Sequence, residues 1–325
     1  MSNLFQRSPR NPILTPHDMP FPAEAVLNPG VTEQNDEVVL LLRVEDTSGH
    51  SKIHVARSAD GVSNWRIEHK PILDYGNRKW RYESWGVEDP RVTWLEEEKC
   101  WYIMYTAYSP AGAAVGIART RDFVKAERIG LALSPSNKDA ALFSQRFKKR
   151  WAALHRPEAG GGIENIWIAY SPDLIHWGEP RCVIFEGKGP AWDAMKVGAG
   201  PPPVLTKHGW LLIYHGVKQY AGNLVYRVGA ALLDRNEPHK LIARSPRCLF
   251  KPFAPYELTG LVSNVVFPTG LLMRGDEMWM YYGAGDYCIC LATARVQDIL
   301  DTLEAKEKVP SIADEMDVQP LAAAT

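Results

Sequence analysis

The chain has few of the features that define several large protein classes. Its 325 residues contain no run of 18 apolar residues, so no transmembrane helix is predicted. The N-terminal stretch MSNLFQRSPRNPILTP has no apolar core of signal-peptide length. The net charge is −1 and no basic tract is present, which argues against a nucleic-acid or membrane-surface partner. The five cysteines are odd in number and scattered, which favours reduced thiols in the cytoplasm over a disulfide framework.

The sequence also lacks the signatures of a metal or nucleotide site. Cys288 and Cys290 form a C-x-C pair, but no second Cys/His pair has zinc-binding spacing, so we interpret them as one face of a buried strand. The segment VGAGPPP (197–203) lacks the Lys-Ser/Thr of a phosphate-binding loop, and we interpret it as a rigid wall beside a site. We therefore predict no metal and no organic cofactor.

Short strand-like segments that repeat along the chain are abundant. The sequence has 11 Trp and 13 Tyr, whereas long amphipathic helices are scarce, which is typical of all-β proteins. Five similar segments share an alanine, and by subtraction the alanines are spaced 62, 51, 62 and 61 residues apart. Units of this size match the blades of a β-propeller. The segments are IHVARSADG (53–61), VGIARTRDF (115–123), IWIAYSPDL (166–174), VGAALLDRN (228–236) and ICLATARVQ (289–297).

Each repeat follows a strand rich in aromatic or apolar residues, in segments 37–46, 100–109, 150–158, 209–217 and 278–286. Because one blade cannot bury both faces, five such units are expected to close into a ring. We predict a single five-bladed β-propeller domain over residues 1–310, a short C-terminal helix from Val296 and a loose tail over 311–325. The helix packs either on the edge of its own blade or on a neighbouring subunit of a homo-oligomer.

Polar residues end the five aromatic strands. If these strands are the first of each blade, they line the central channel and their polar ends converge in one mouth. The residues are Arg43, Glu45, Asp46, Tyr105, His155, Arg156, His215 and Asp286. A water-filled channel would also carry polar groups, but carboxylates, arginines and histidines from five blades favour a functional site.

The segment SWGVEDPRV (84–92) carries two adjacent carboxylates, a proline and an arginine. Read alone, Asp-Pro is common turn chemistry. Together with other motifs, however, it resembles family 130 of the glycoside hydrolases, the mannoside phosphorylases and related mannosidases. The resemblance covers about residues 8–300 and implies a five-bladed propeller. Its motifs are NPILTP (11–16), LNPG (27–30), LLLRVED (40–46), GVEDPR (86–91), NKDAALF (137–143), LHRP (154–157), GPPPVLTKHGWLLIYHGV (200–217), YRVGAALLD (226–234), VVFPTG (265–270) and YYGAGD (281–286).

The resemblance implies a role for each matching residue. Asp89 is the general acid, which acts through a sugar hydroxyl, and Arg91 braces its loop by ion pairing. Glu88 and burial are expected to raise the pKa of Asp89. Inorganic phosphate is implied as the nucleophile, held by Lys138, Arg156 and His215. The implied sugar contacts are Asn28, Arg43, Asp46, Lys196, Tyr226 and Asp286, and Trp85 stacks on a sugar face or fills the core.

The function implied is inverting phosphorolysis of β-mannosides to α-mannose 1-phosphate. The substrates are short β-1,2- or β-1,4-linked manno-oligosaccharides or mannosyl-N-acetylglucosamine, with inorganic phosphate as co-substrate. Two alternatives stay open. One is an inverting β-mannoside hydrolase on the same scaffold, in which a carboxylate base replaces phosphate. The other is a propeller that binds carbohydrate without catalysis.

Overall fold

The prediction of an all-β chain is confirmed by the structure, a computed structural model that describes residues 4–158, 160 and 164–304. Strand β1 (Gln6–Arg7) is followed by five consecutive groups of strands. The first group holds β2 (Ala25–Gln34), β3 (Glu37–Glu45), β4 (Ser51–Ser58) and β5 (Arg66–Ile67), and the second holds β6 (Gly86–Leu95), β7 (Cys100–Ser109), β8 (Gly112–Thr120) and β9 (Glu127–Leu133).

The remaining groups follow the same pattern. The third holds β10 (Asn137–Leu142), β11 (Trp151–Pro157), β12 (Ile166–Ser171) and β13 (Gly178–Ile184). The fourth holds β14 (Lys196–Ala199), β15 (Val204–Thr206), β16 (Gly209–Tyr220), β17 (Asn223–Leu233) and β18 (Leu241–Arg244), and the fifth holds β19 (Val266–Arg274), β20 (Glu277–Ala284) and β21 (Cys288–Arg295). Helical structure is limited to α1 (Pro255–Leu258), α2 (Val296–Glu304) and two 3-10 turns, Pro16–Asp18 and Arg81–Glu83, within the described residues.

Hydrogen bonding joins these strands into sheets of four, four, five and eight strands in the described part of the chain. Within each sheet the neighbours pair antiparallel, with one exception in the eight-stranded sheet. There, β4 of the first group meets β6 of the second through a parallel bridge between Ser51 and Gly86. This bridge brings the start of the GVEDPR motif against the first group.

The repeats predicted from the sequence lie in β4, β8, β12, β17 and β21, and the aromatic segments lie in β3, β7, β11, β16 and β20. The assumption that the aromatic strands come first in each unit is wrong. Another strand precedes each of them: β2, β6, β10, β14 and β19. Several of these first strands contain prolines and bulges, which hide the alternating pattern that reveals the others.

Five hydrophobic clusters pack between consecutive strand groups. One cluster joins the first and second groups through Leu41 and Ile103, and the next joins the second and third through Met104 and Trp151. Further clusters join the third to the fourth group and the fourth to the fifth. The last cluster contains Leu40 of the first group and Leu291 of the fifth, so it joins the two ends of the series.

The chain termini pack onto the fifth group. Strand β1 pairs antiparallel with β21, through Gln6 with Thr293 and Arg7 with Ala292. Helix α2 buries Ile299, Leu300 and Leu303 in a cluster with β17 and β21 residues, so it lies on its own chain's sheets, as one of the two alternatives predicted. The predicted tail over 311–325 lies outside the described residues.

Two further sequence expectations concern the paired cysteines and membrane-spanning helices. Cys288 and Cys290 lie buried in strand β21, which confirms their placement in a buried strand. Among the described residues, no helix is long and apolar enough to span a membrane.

Candidate active site

Backbone bulges direct several polar side chains out of the first strands. The pairing of β2 with β3 shifts register between Leu27 and Gly30, and that of β6 with β7 shifts between Glu88 and Arg91. Inside these bulges Asn28 and Asp89 have positive φ angles of 46° and 47°. Asn and Asp tolerate this left-handed conformation better than other non-glycine residues. The Asp-Pro pair of GVEDPR therefore forms a bulge within a strand, and the interpretation as a turn is wrong.

The same device recurs in the third group. The register of β10 on β11 shifts between Lys138 and Ala141, and Asp139 within this bulge has a φ of 52°. Bulges of this kind commonly re-aim a side chain next to an active site. Asp139, Asn28 and Asp89 are all buried polar residues, so each of the three bulges carries one buried polar side chain.

Asp89 lies in a pocket of hydrogen-bond donors. Its Oδ1 accepts bonds from Asn28 Nδ2 at 2.8 Å and from Arg43 Nη1 at 2.9 Å. The other terminal nitrogen of Arg43, Nη2, lies 3.3 Å from Glu88 Oε1. Arg43 is itself held by a bond from its Nε to Ser51 Oγ at 2.9 Å. One guanidinium therefore binds both carboxylates of the motif.

The two neighbouring carboxylates differ in their pKa shifts. Burial raises the pKa of Glu88, and the charge of Asp89 adds to this effect. Burial also opposes ionisation of Asp89, but Arg43, Arg91 and the bond from Asn28 outweigh it and lower its pKa. The expectation that Glu88 and burial would raise the pKa of Asp89 is therefore wrong, because the positive charges of Arg43 and Arg91 and the Asn28 bond favour the ionised form more strongly.

Asp286 is the third carboxylate at this pocket. It lies in the turn between β20 and β21 with a φ of 48°. Burial raises its pKa to about 6, and the charges of Asp89, Glu45 and Glu88 act in the same direction, against an opposing effect of Arg43. The pKa of Asp286 is thus coupled to the charges of Arg43 and Asp89, and its role as a sugar contact stays a prediction.

A second centre lies around the buried carboxylate of Asp139. Arg156 Nε lies 3.1 Å from Asp139 Oδ2, His215 Nε2 lies 3.6 Å from the same oxygen, and Arg91 Nη2 donates to Oδ1 at 3.4 Å. Burial raises the pKa of Asp139, but the positive charges of Arg156, Arg91 and Lys138 outweigh burial and lower it. The side chains of Asp139, Arg156, His215 and Arg91 are almost completely buried. The sequence analysis named Arg156 and His215 but missed Asp139, which stands directly after Lys138 in the NKD motif.

Arg91 connects the two centres. Its Nη1 donates to the backbone carbonyl of Asp89 at 2.8 Å while Nη2 reaches Asp139. Its Nε also donates to the carbonyl of Gly200 at 3.3 Å, in the VGAGPPP segment. Arg91 thus braces the Asp89 bulge through a hydrogen bond to its backbone, whereas the predicted ion pair is made with Asp139 instead, and the VGAGPPP segment lies against Arg91.

His215 is neutral in this centre. Burial lowers the pKa of His215 to about 3, and Arg156 acts in the same direction against the pull of Asp139. Arg156 Nη1 lies 3.4 Å from His215 Nε2, so Nε2 accepts and the ring proton lies on Nδ1. His215 Nδ1 is buried and without a hydrogen-bond partner in the structure. Leaving a buried donor of this kind without an acceptor costs free energy, so Nδ1 can donate to a further polar group.

A glycine provides the room for this arrangement. Gly198 on β14 is paired with His215 on β16. A Cβ atom at position 198 would lie 2.3 Å from His215 Cε1 and 2.4 Å from Asp139 Oδ2. Any side chain at this position would therefore displace the ion pair or the imidazole.

The remaining predicted residues divide into two sets. Lys138 Nζ binds Glu158 Oε1 at 3.0 Å, and Lys196 Nζ lies 5.8 Å from the ring centre of Tyr226, which stacks at 6.0 Å on His215. Lys138, Lys196 and Tyr226 therefore border the second centre, which surrounds Asp139. Asp46, by contrast, is held in the β3–β4 turn, where it accepts bonds from Ser48, His50 and Tyr75.

Two of the polar strand ends have structural partners instead. Tyr105 OH donates to Glu83 at 2.5 Å, and His155 Nδ1 pairs with Asn137 Oδ1 at 2.7 Å. Glu164, which the sequence analysis missed, lies with its Oε2 3.1 Å from Arg156 Nε. The sequence signal for Glu164 is its place in the β11–β12 connection, seven residues after the LHRP motif, but nothing in the spacing reveals the ion pair.

No group of three or more His, Cys, Asp or Glu side chains is placed to hold a metal ion among the described residues. The fold and site thus define an all-β protein in which a carboxylate pocket adjoins a buried cluster of arginines and a neutral histidine. The chain belongs to glycoside hydrolase family 130, since the family model described as β-1,4-mannooligosaccharide phosphorylase matches residues 6–305.

Similar proteins support the same assignment. The chain is 31% identical to the β-1,2-mannobiose phosphorylase of Listeria innocua, over 93% of this chain and 99% of the relative. It is 32% identical to the β-1,4-mannooligosaccharide phosphorylase of Ruminococcus albus, over 94% of this chain and 93% of the relative. The solved structure of the Listeria innocua enzyme in complex with β-1,2-mannobiose superposes with a TM-score of 0.85, over 93% of this chain and 99% of the other.

Proposed function

We propose that the protein is an inverting phosphorylase that cleaves short β-mannosides with inorganic phosphate and releases α-mannose 1-phosphate. The carrying observation is the buried cluster of Arg156, His215 and Asp139 next to the pocket of Asp89. A phosphorylase needs one carboxylic acid, and the place of the second carboxylate is taken by cations that hold phosphate. The phosphorylase relatives of both linkage types support the same reaction.

In the proposed reaction a phosphate oxygen forms a bond to the anomeric carbon as the glycosidic bond breaks on the opposite face. The proton of Asp89 passes through a sugar hydroxyl to the leaving oxygen, so the acceptor sugar departs neutral. Asp89 is ionised in the ligand-free site because Arg43 and Asn28 bind it. Sugar hydroxyls that take over these donors would raise its pKa and allow it to carry the proton.

The phosphate pocket in this proposal consists of Arg156, His215 and Lys138. Arg156 supplies fixed positive charge and a planar pair of donors, and Lys138 supplies a further charge. Neutral His215 supplies its unpartnered Nδ1 proton as a donor. Asn28, Arg43, Lys196, Tyr226 and Asp286 border the two centres and are the proposed sugar contacts. Asp46, which the sequence also predicted as a sugar contact, is the weakest assignment, because its carboxylate already accepts hydrogen bonds within a turn.

We further infer that the strand groups close into a five-bladed propeller. The five hydrophobic clusters support this, since each packs between consecutive groups and the last joins the fifth group to the first. The pairing of β1 with β21 supports it as well, because it ties the two ends of the chain together. We place the enzyme in the cytoplasm, where its five free cysteines would stay reduced.

A hydrolase is the second candidate, and two carboxylates favour it. Glu158 binds Lys138 at 3.0 Å and Glu164 binds Arg156 at 3.1 Å, so each proposed phosphate ligand already faces an anion. Either carboxylate could activate water as a general base. In the phosphorylase these glutamates instead hold Lys138 and Arg156 in place until phosphate displaces them.

The deciding experiment follows both products from β-1,2- and β-1,4-mannobiose as phosphate is raised from zero. We expect α-mannose 1-phosphate in amounts equal to the substrate consumed, and a rate that saturates with phosphate. Arg156→Ala should raise the KM for phosphate far more than the KM for the mannoside, while Lys138→Arg, which keeps the charge, should retain activity. Free mannose from the cleaved end, formed at a rate independent of phosphate and abolished in Glu164→Gln or Glu158→Gln, would establish the hydrolase.

A further inference from the structure

The ion pairs of the second centre, which surrounds Asp139, are balanced in charge. Among the described residues, three cations in this centre pair with three carboxylates, while His215 is neutral. The cations are Arg91, Lys138 and Arg156, and the carboxylates are Asp139, Glu158 and Glu164. The pairs therefore contribute little net charge that would attract a divalent anion. Recognition of an oxyanion here must depend on hydrogen bonds that match its donors and acceptors.

Two carboxylate oxygens of this centre are buried and have no hydrogen-bond partner among the described residues. Glu164 Oε2 and Asp139 Oδ2 each lie 3.1 Å from Arg156 Nε, but neither contact has hydrogen-bond geometry. Nε carries a single hydrogen, so it cannot satisfy both oxygens. Because an ionised carboxylate can only accept, the centre has acceptor capacity left for a ligand that carries an O–H group.

The same centre also has a donor to spare. His215 Nδ1 is buried and has no hydrogen-bond partner in the described part of the chain. A ligand that satisfies both sides must donate and accept. Hydrogen phosphate does so at neutral pH, because it keeps one O–H group beside its unprotonated oxygens. Sulfate has the same tetrahedral shape and the same double negative charge, but it carries no proton at neutral pH and can only accept.

Glu164 is held in place before any ligand arrives. Its backbone carbonyl accepts a bond from the Val197 N–H at 2.9 Å, and it forms a parallel bridge with Lys196 at the start of β14. Its side chain is 12% exposed, whereas that of Glu158 is 27% exposed. Water can therefore solvate Glu158 more readily than Glu164. An acceptor that is fixed and poorly solvated discriminates strongly between ligands that can and cannot donate to it.

We infer that Glu164 determines which oxyanion the enzyme accepts, because its carboxylate takes a hydrogen bond from the O–H group of hydrogen phosphate and thereby excludes sulfate. The inference rests on the proposed function and adds a specificity-determining residue to it. With sulfate, the carboxylate would face an unprotonated oxygen, and a buried acceptor would stay unpaired. Asp139 is the weaker candidate, because both Arg156 and Arg91 already compensate its charge.

The test measures the KM for phosphate and the inhibition constant of sulfate at constant ionic strength, with the mannobiose that the wild type cleaves. In the wild type, the sulfate constant should exceed the phosphate KM roughly 100-fold. Glu164→Gln introduces an amide N–H that can donate to sulfate. The phosphate KM should therefore rise roughly tenfold and the sulfate constant should fall roughly tenfold. The KM for mannobiose should change little.

Glu158→Gln is the matched control. It removes the same negative charge from the centre, at a more exposed carboxylate that binds Lys138 at 3.0 Å. Its effect is one of charge alone, so the constants for phosphate and sulfate should move in the same direction by a similar factor. Circular dichroism would check the folding of both variants. If Glu164→Gln does not fold, Glu164→Asp, which withdraws the acceptor by one methylene, should still lower the selectivity for phosphate over sulfate.

The contrary results separate this inference from the proposed function. A wild type inhibited by sulfate at concentrations near the phosphate KM would overturn the role of Glu164 and leave the phosphorylase intact. A selectivity ratio that stays unchanged in Glu164→Gln or Glu164→Asp would do the same. A wild type that releases free mannose at a rate independent of phosphate, and no mannose 1-phosphate from either mannobiose, would overturn the proposed function and the selectivity with it.

Discussion

Asp139 and Arg156 form an ion pair that is almost wholly excluded from solvent, with 3.1 Å between Oδ2 and Nε. Neither atom makes a hydrogen bond of good geometry, although the charges are close. A buried pair of this kind is kept by the surrounding fold at a desolvation cost, and in the proposed phosphorylase it holds the guanidinium for phosphate.

The first prediction concerns this pair. Asp139→Asn keeps the size of the side chain and tolerates the positive φ, but it leaves Arg156 and Arg91 without their shared anion. Removing one partner of a buried pair typically costs about 3–5 kcal/mol of unfolding free energy. Urea unfolding should detect this loss, and phosphate should recover part of it by supplying the missing negative charge. The exposed pair Asp276–Arg295 is the control, since Asp276→Asn should cost under about 1 kcal/mol.

The second prediction separates the two carboxylates of the motif. Asp89→Asn retains the left-handed backbone but cannot carry the proton, so kcat should fall by about 10²–10⁴-fold. Glu88→Gln should cost much less, because Glu88 contacts Arg43 without sharing the Asn28 bond. Single-turnover rates and circular dichroism would check activity and folding. If the losses were reversed, the acid would be Glu88.

The third prediction uses the close approach at Gly198. Gly198→Ala places a methyl group 2.3 Å from His215 Cε1, so the imidazole must move. Phosphate binding should weaken while mannoside binding changes little, which KM values for the two substrates would show. Gly178→Ala is a suitable control, because a Cβ there would meet no atom within 4 Å. An unchanged KM for phosphate in Gly198→Ala would remove His215 from the phosphate pocket.

The fourth prediction concerns pH and Asp286. Burial raises the folded-state pKa of this carboxyl to about 6, above the unfolded value of about 3.9. The native state therefore binds the proton more tightly, and stability is lost as pH rises from about 4 to 6. Asp286→Asn does not titrate, so its stability relative to the wild type should increase by about 3 kcal/mol over this window. Urea unfolding of both proteins between pH 4 and 8 would measure this difference in stability. A difference that does not change with pH would refute the raised pKa of Asp286.

The strands that repeat could be predicted from the sequence, but the contacts that join them could not. The shared alanines predicted β4, β8, β12, β17 and β21, because buried strands with a common turn leave a local pattern. The first strands of the groups were not predicted, since bulges at Asn28 and Asp89 interrupt the alternation of apolar and polar residues. The family motifs placed Arg43 and Arg156 in the site, but the ion pairs of Asp139 and Glu164 arise from contacts between distant segments and have no local signature.

The pairing of β1 with β21 has a consequence for how the protein is made. Gln6 lies 287 residues before its partner Thr293, so β1 is synthesised long before β21. Strand β1 must therefore wait, unpaired, until the residues between it and β21 have been synthesised. Contacts of such long sequence separation slow folding and leave a strand edge exposed to aggregation. A bulky domain fused to the N-terminus would act at this late step, so the yield of folded enzyme should depend more on N-terminal fusions than on C-terminal ones.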